Sequence, residues 1–322
     1  MTRPTRQRLD IALVEAGLAP SREQARRLIM AGQVRVNGQP VDKPGQAVAV
    51  DAQLEVVGER NPFVSRGGIK LEAALQAFPV DPAGRVALDV GASTGGFTDC
   101  LLQRGAKKVY AVDVGYGQFA WKLRRDPRVE LWERTNIRYV TPERFGTERP
   151  ELAVVDVSFI SLELVLPVLF AFLPPGAPVV ALIKPQFEAG PSKVGKHGVV
   201  RDPQVHLEVL TRLGRKAQED GYQLRGLIPS PIRGPEGNIE FLAWLVRNGL
   251  PPGGTVQGSK AQAGGSCAPA GAGLSLAEWQ QLASQVVAQA QVQEEQARRQ
   301  RMTPQVRSPS SDPLTDSNNN RI

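Results

Sequence analysis

Cysteine is nearly absent: the 322 residues contain two, Cys100 and Cys267. They lie far apart, and Cys267 sits in a Gly/Ala/Ser-rich stretch, so neither a disulfide framework nor a metal site is expected. Cys100 follows a glycine-rich turn and reads as a small buried apolar residue. Histidine is equally scarce, with only His197 and His206. Neither is expected to be catalytic, and His206 is placed on the surface of its helix. A long unbroken apolar run is missing as well. The most apolar stretch, LVLPVLFAFLPPGAPVVALI (164–183), is interrupted by Pro167 and by Pro174-Pro175-Gly176. That excludes a membrane helix and leaves a buried helix, a turn and a buried strand. The N-terminus, MTRPTRQRLD, has no apolar core of an export signal. The expectation is a soluble, cytoplasmic, metal-free chain. Its length and 41% apolar content allow one large domain and at least one small one.

The net charge of +7 is weak evidence for any partner, but its distribution is informative. Before residue 37 stand Arg3, Arg6, Arg8, Arg22, Arg26, Arg27 and Arg35 against Asp10, Glu15 and Glu23. RLDIALVEAGL carries apolar Leu9 and Leu13 on one helical face. SREQARRLIMAG offers Ser21 as N-cap and Gly32 as a stop. QVRVNGQPV runs into an Asn-Gly hairpin turn. Arg22 and Arg26 share a helix face, with Arg27 beside them. Periodicity alone leaves two readings open, a solvated basic face and a grip on a phosphate backbone. The pattern SREQARRLIMAGQVRVNGQPV resembles the S4 RNA-binding domain, which implies contact with structured RNA through shape and phosphate. This module is assigned to 8–59, followed by a linker at 60–68.

Beyond the linker, a helix IKLEAALQAF is followed by alternating strands and helices. Strands are predicted at 85–90, 107–113, 128–132, 151–156, 178–184, about 222–229 and 238–245. Helices are predicted at 96–104, 116–124, 161–172 and 203–219. The alternation implies a mostly parallel α/β sheet. The last two strands, joined by PSPIRGPEG, are too close for a helical crossover and should be antiparallel. From 249 onward the composition reads as a low-complexity, largely disordered tail. Its one helix has a Ser275–Glu278 capping box and a narrow face of Leu276, Trp279, Leu282 and Val286. A dispensable extension is the expectation there, and a partner-binding helix is the alternative.

The first strand of this domain runs into LDVGASTGGFTD (88–99). It is not a P-loop, because Gly96 is followed by Phe97 and Thr98 rather than Lys-Ser/Thr, and its G-x-x-x-G-G spacing is not the dinucleotide fingerprint. Asp113 lies 22 residues past Gly91, where an acid takes a ribose hydroxyl pair. Asn136 after the third strand can reach a base edge. An acid on a ribose without a pyrophosphate loop fits S-adenosylmethionine, although the turn by itself leaves other nucleotides open.

Four charged groups sit on apolar elements: Lys70, Asp156, Lys184 and Glu240. Each could be half of a structural ion pair. Together they suit activation of a poor nucleophile, an alcohol, since burial or a second cation lowers a lysine's pKa. GASTGGFTD, DVGYGQ, VVDVSFISL, ALIKPQFE, KHGVVRDP and GNIEFLAWL, behind an S4 module, resemble the TlyA family of ribosomal RNA 2′-O-methyltransferases. The resemblance spans about residues 7–246. It implies a Rossmann-like, FtsJ-like catalytic domain (69–248) dependent on S-adenosylmethionine, with a catalytic tetrad of Lys70, Asp156, Lys184 and Glu240. Lys184 would activate the ribose hydroxyl and Asp156 would lie between it and the cofactor methyl. Gly91, Ser93, Gly95, Gly96, Phe97, Asp113, Asn136 and Asp156 would hold the cofactor, although relatives often carry an acid in place of Asn136. RNA contacts are expected from Arg8, Arg22, Arg26, Arg27 and Arg66, and from Lys193, Lys196 and Arg201 in the loop 190–203. The partner implied is ribosomal RNA or a ribosomal subunit. Two other functions stand beside this one: a non-catalytic assembly factor, and a membrane-lytic protein, since the family also carries a haemolysin label.

Overall fold

Asn37 and Gly38 both adopt positive φ, +50° and +76°, the conformation a two-residue type I′ hairpin requires. They join the second and third strands of the N-terminal unit, so the Asn-Gly signal is realised. The computed structural model describes residues 6–30, 33–57, 61–234, 236–249 and 273–302, without the side chains of Arg27 and of 298–302. Gly32, expected to stop a helix, lies outside the described residues. The chain divides into two compact units, Met1–Pro62 and Phe63–Ile322.

The first unit comprises β1 (Arg6–Arg8), α1 (Leu9–Glu15), α2 (Arg22–Met30), β2 (Val34–Val36), β3 (Gln39–Val41), β4 (Ala47–Ala49) and β5 (Leu54–Val56). Strand β2 pairs antiparallel with β3 and β5, and β1 pairs antiparallel with β4. Ser21 caps α2, its Oγ accepting from Gln24 N at 3.2 Å. Leu9, Leu13, Ala25, Ile29 and Val34 form the centre of a small apolar core.

The second unit contains α3 (Gly67–Ala77), β6 (Val86–Val90), α4 (Gly96–Gln103), β7 (Lys108–Val112), α5 (Trp121–Arg124), β8 (Val129–Trp132), β9 (Leu152–Val155), α6 (Leu166–Phe172), β10 (Pro178–Ile183), α7 (Pro185–Glu188), α8 (Pro203–Glu219), β11 (Tyr222–Pro229), β12 (Phe241–Arg247) and α9 (Leu276–Met302). Seven strands form one sheet in the order β11-β12-β10-β9-β6-β7-β8. The pairs from β10 to β8 are parallel, and β12 is antiparallel to both its neighbours, as the short β11–β12 connection requires. Period-two alternation feeds both faces. Val86, Leu88 and Val90 pack on the side of α6, α8 and α9, and Ala87 packs on the side of α3 and α4. The strand order reverses direction at β6, which places the ligand crevice beyond the carboxyl ends of β6 and its neighbours.

Three expectations are corrected. The helix predicted at 116–124 shrinks to α5, because carboxylates hold the preceding loop as a turn. Asp113 accepts from Gly115 N at 2.6 Å, and Glu133 accepts from Gly117 N at 2.7 Å. Within 161–172, Pro167 sits in the first turn of α6, and a short 3-10 turn, Leu162–Leu164, precedes it. His206 is not a surface residue. It is fully buried, with Nε2 3.2 Å from Val200 O and its ring edge-on to Phe241. The reason is its place on the buried stripe of Val209, Leu210, Leu213 and Ala217.

Where it is described, the tail expected to be a dispensable extension is packed on the second unit. Helix α9 packs against α8 and β11, and its capping box forms: Ser275 N donates to Glu278 Oε2 at 2.8 Å, and Glu278 N donates to Ser275 Oγ at 3.3 Å. Trp279 is 1% exposed and donates from Nε1 to Leu210 O at 2.8 Å. It fills the space left by Gly214, where a Cβ would lie 2.2 Å from that nitrogen. Ala283, Val286, Val287 and Ala290 continue the buried face. The face looked narrow in sequence because its alanines pack as closely as its larger residues. Residues 250–272, including Cys267, and 303–322 lie outside the described residues. Among the described residues, no helix is long and apolar enough to cross a membrane.

Candidate active site

Strand β6 ends at Val90, and Gly91 follows at φ +88°. A Cβ there would come within 2.5 Å of the Asp156 carbonyl. Only glycine lets the turn lie against the loop that leaves β9, and Asp156 N closes this contact on Val90 O at 2.9 Å. Gly95 tightens the turn through its N–H to Ala92 O at 2.7 Å. At Gly96, a Cβ would press 2.2 Å from Ser65 Oγ and 2.9 Å from Gly68 N. Gly96 therefore lets the start of α3, which carries Lys70, approach the start of α4, while a Cβ at Gly95 would collide instead with Leu123 and Phe119, at 2.5 and 3.0 Å. Phe97 is 2% exposed and belongs to the core, so its contribution to a ligand is limited to its backbone. Ser93 is exposed at φ +48° and donates its N–H to Asp113 Oδ2 at 2.7 Å. Asn136 Oδ1 accepts from Arg138 N at 3.1 Å, capping a short 3-10 turn.

The four charged groups form two pairs. Lys70 Nζ meets Glu240 Oε2 at 2.5 Å, with side chains 8% and 1% exposed. Glu240 Oε1 is buried without a hydrogen-bond partner among the described residues. Lys184 Nζ lies 2.6 Å from Asp156 Oδ1 and donates to Ser158 Oγ at 2.8 Å. The Lys184–Asp156 approach is an ion-pair contact rather than an aligned hydrogen bond, since Asp156 Oδ1 has no bond of acceptable angle. The two pairs are neighbours through Gly67 at the start of α3, whose Cβ position lies 3.8 Å from Asp156 Oδ2. Lys184 and Asp156 follow β10 and β9, adjacent parallel strands, so sheet register brings them together.

Three further residues near these pairs were not singled out by the sequence pattern. Ser158 is the hydrogen-bond acceptor for Lys184. Phe159 is 90% exposed at φ +63°, its ring 4.8 Å from that of Phe187. A bulky aromatic held in a left-handed conformation is costly for the fold and persists only where its surroundings over-determine it. Asp89, on β6, is fully buried and accepts from Thr98 Oγ1 at 2.6 Å. Burial pushes its carboxyl up to about 7, against the lowering effect of the Thr98 bond, and the charges of Asp156 and Asp113 add to the rise. VVDVSF and LDVG contained these residues, but only the fold shows their exposure and burial.

Of the basic residues, Arg8 and Arg22 converge on Asp10, at 2.9 and 3.2 Å. The Asp10 side chain is fully buried, and the Arg8 hydrogen bond holds its carboxyl down at about 2, with help from Arg22. The two arginine side chains stay at least half exposed, so Asp10 orients them without removing them from solvent. Arg26 is exposed, and the side chain of Arg27 lies outside the described residues. Arg66 donates from Nη2 to Arg233 O at 2.8 Å. Lys193 is paired with Glu208 at 2.5 Å, whereas Lys196 and Arg201 are exposed.

A sequence model described as FtsJ-like methyltransferase matches residues 63–247, and the S4 domain model matches 7–54. Over 74% of its length the chain is 56% identical to YqxC of Bacillus subtilis, covering 85% of that protein. Over the same share it is 52% identical to the 16S/23S rRNA (cytidine-2′-O)-methyltransferase TlyA of Mycobacterium tuberculosis, covering 90% of it. A solved Streptococcus thermophilus protein, named as a hemolysin, superposes with a TM-score of 0.68 at 41% identity, over 92% of this chain and all of that one.

Proposed function

This chain belongs to the FtsJ-like methyltransferases and, within them, to the S4-bearing TlyA family, and from that membership we propose that it methylates the ribose 2′-hydroxyl of a cytidine in ribosomal RNA. The methyl donor is S-adenosylmethionine. The observation that carries the reading is the Lys184–Asp156 contact of 2.6 Å, on loops beyond adjacent parallel strands and against the glycine turn.

The residues around the turn fit that cofactor. Both oxygens of Asp113 are anchored by backbone N–H groups, at 2.6 and 2.7 Å, and each keeps a lone pair for one of two ribose hydroxyls. The N–H groups of Gly96 and Phe97 open α4 without intrahelical acceptors and suit a carboxylate, whereas the Thr98 N–H is taken by Asp89. With Oδ1 of Asn136 engaged in its cap, Nδ2 is the group that faces a base. When bound, S-adenosylmethionine supplies a methyl group already activated on a sulfonium.

The chain's own residues supply position and a proton acceptor. Lys184 Nζ, once it has passed its ammonium proton to solvent and become a neutral amine, is steered by Asp156 and Ser158 to hydrogen-bond the 2′-hydroxyl and receive its proton as the oxygen becomes a nucleophile. Lys70 and Glu240 hold each other buried beside this centre and fix the ribose. Holding hydroxyl and methyl in line is worth more here than covalent chemistry. Phe159 offers a stacking face for a base taken out of its helix. Arg8, Arg22, Arg26 and Arg27 grip the phosphate backbone, together with Arg66, Lys193, Lys196 and Arg201. The test is to incubate the protein with ribosomal subunits and cofactor, digest the RNA to nucleosides and identify the product by mass. 2′-O-methylcytidine is expected. A base-methylated nucleoside, or no methylated product, would overturn the reading.

A further inference from the structure

Glu188 ends α7, four residues after Lys184, and is 8% exposed. Both of its carboxylate oxygens hold the same loop. Oε2 accepts from Ser161 Oγ at 2.6 Å and Oε1 accepts from Leu162 N at 2.9 Å. Its own carbonyl accepts from Arg212 Nη2 at 2.6 Å, on α8. Ser161 Oγ in turn accepts from Glu163 N at 3.1 Å. A buried carboxylate that makes this many bonds within one site serves a purpose beyond filling space, because burial works against its ionised form and drives its proton affinity up.

The loop it holds is the one that carries the reacting groups. Residues 156–162 include Asp156, Ser158 and Phe159. At one end the loop is tied to the sheet by Asp156 N on Val90 O, 2.9 Å. At the other end Glu188 holds Ser161 and Leu162. Between these ties Phe159 keeps φ at +63°, a conformation that persists only where the surroundings over-determine it. We propose that Glu188 is a positioning residue for methyl transfer: its carboxylate clamps the 156–162 loop to the turn that bears Lys184 and Phe187. That clamp sets Ser158 against Lys184 and Phe159 against Phe187. It touches neither substrate nor cofactor.

The inference rests on the assignment of Lys184 to the reacting centre. The experiment compares single-turnover methyl transfer to ribosomal RNA by full-length Glu188→Ala, Glu188→Gln, Ser161→Ala and Lys184→Ala, well below each variant's Tm. S-adenosylhomocysteine affinity is measured alongside. Glu188→Ala should lose on the order of 100-fold in rate, the scale of a reacting group misplaced by about 1 Å. Its cofactor affinity should stay within about twofold, a difference of roughly 0.4 kcal/mol. Glu188→Gln should keep most of the rate, because its amide oxygen still accepts from Leu162 and its NH2 can donate to Ser161. Ser161→Ala, which removes one of the two bonds, should fall between them and covers the case in which Glu188→Ala does not fold. A Glu188→Ala or Ser161→Ala protein with the wild-type rate, or a Glu188→Gln protein as slow as Glu188→Ala, would overturn the clamp. If Lys184→Ala itself kept the wild-type rate, the assignment of the reacting centre would fail instead.

Discussion

Lys70 and Glu240 face each other at 2.5 Å with almost no exposure to solvent. Truncating one partner of a buried pair strands the other charge and costs about 3–5 kcal/mol, whereas replacing both with apolar residues of similar size is often neutral. Lys70→Ala and Glu240→Ala should therefore each lower the urea midpoint strongly. Lys70→Met combined with Glu240→Leu should restore most of it and still transfer no methyl group. Single variants no less stable than the double would show that the pair is not buried as described.

Asp89 gives the fold a pH dependence of definite sign. Its carboxyl titrates at about 7 in the folded chain, against about 4 for an unfolded aspartate. Between those values the folded state holds a proton that the unfolded state has released, so stability falls as pH rises through this window. Asp89→Asn cannot ionise and still accepts from Thr98. Its stability relative to wild type should climb between pH 4 and pH 7 and level off above, as read from urea midpoints. A difference that does not vary with pH would contradict the shift.

Helix α9 lies beyond the stretch matched by the methyltransferase model, yet Trp279 is buried in the catalytic unit's core. Trp279→Ala should cost about 3–5 kcal/mol, the scale of large-to-small changes at buried aromatics. Calorimetry on the full chain checks this. A change within the noise of the Tm would return the helix to the status of an extension.

Phe159 contributes its ring to the site at the cost of backbone strain. Phe159→Ala should weaken RNA engagement by about 1–3 kcal/mol, the value of one stacked base, and leave S-adenosylhomocysteine affinity unchanged. Phe159→Trp should retain the contact. Phe159→Gly should lose it without loss of stability, since glycine accepts the positive φ. Unaltered RNA binding by Phe159→Ala would remove the stacking role.

The architecture was largely legible in the sequence. Alternating apolar strands, the Asn37-Gly38 turn and the short β11–β12 connection each state a local rule that the fold obeys. The four charged groups were legible because a charge on an apolar element is conspicuous. Their pairing was not, because it depends on which strands lie side by side. His206 was misplaced because a lone polar residue in a helix hides an apolar stripe that only its spacing reveals. Helix α9 was underrated because alanine at 283 and 290 reads as neutral yet packs closely. The glycines at 95 and 96 read as cofactor contacts, and part of their work is packing, since Gly96 seats the start of α3 and Gly95 makes way for Phe119 and Leu123. Ser158, Phe159 and Glu188 went unassigned because a loop's conformation is set by its anchors rather than by local pattern.

The most direct test of Lys184 as proton acceptor is transfer of labelled methyl from S-adenosylmethionine to ribosomal RNA, by wild type and Lys184→Ala side by side. Both proteins should bind cofactor and RNA alike. Wild type should leave alkali-resistant label in the RNA, the mark of a blocked 2′-hydroxyl, and the variant should leave none above background. Alkali-resistant label at equal rates in both would contradict the account.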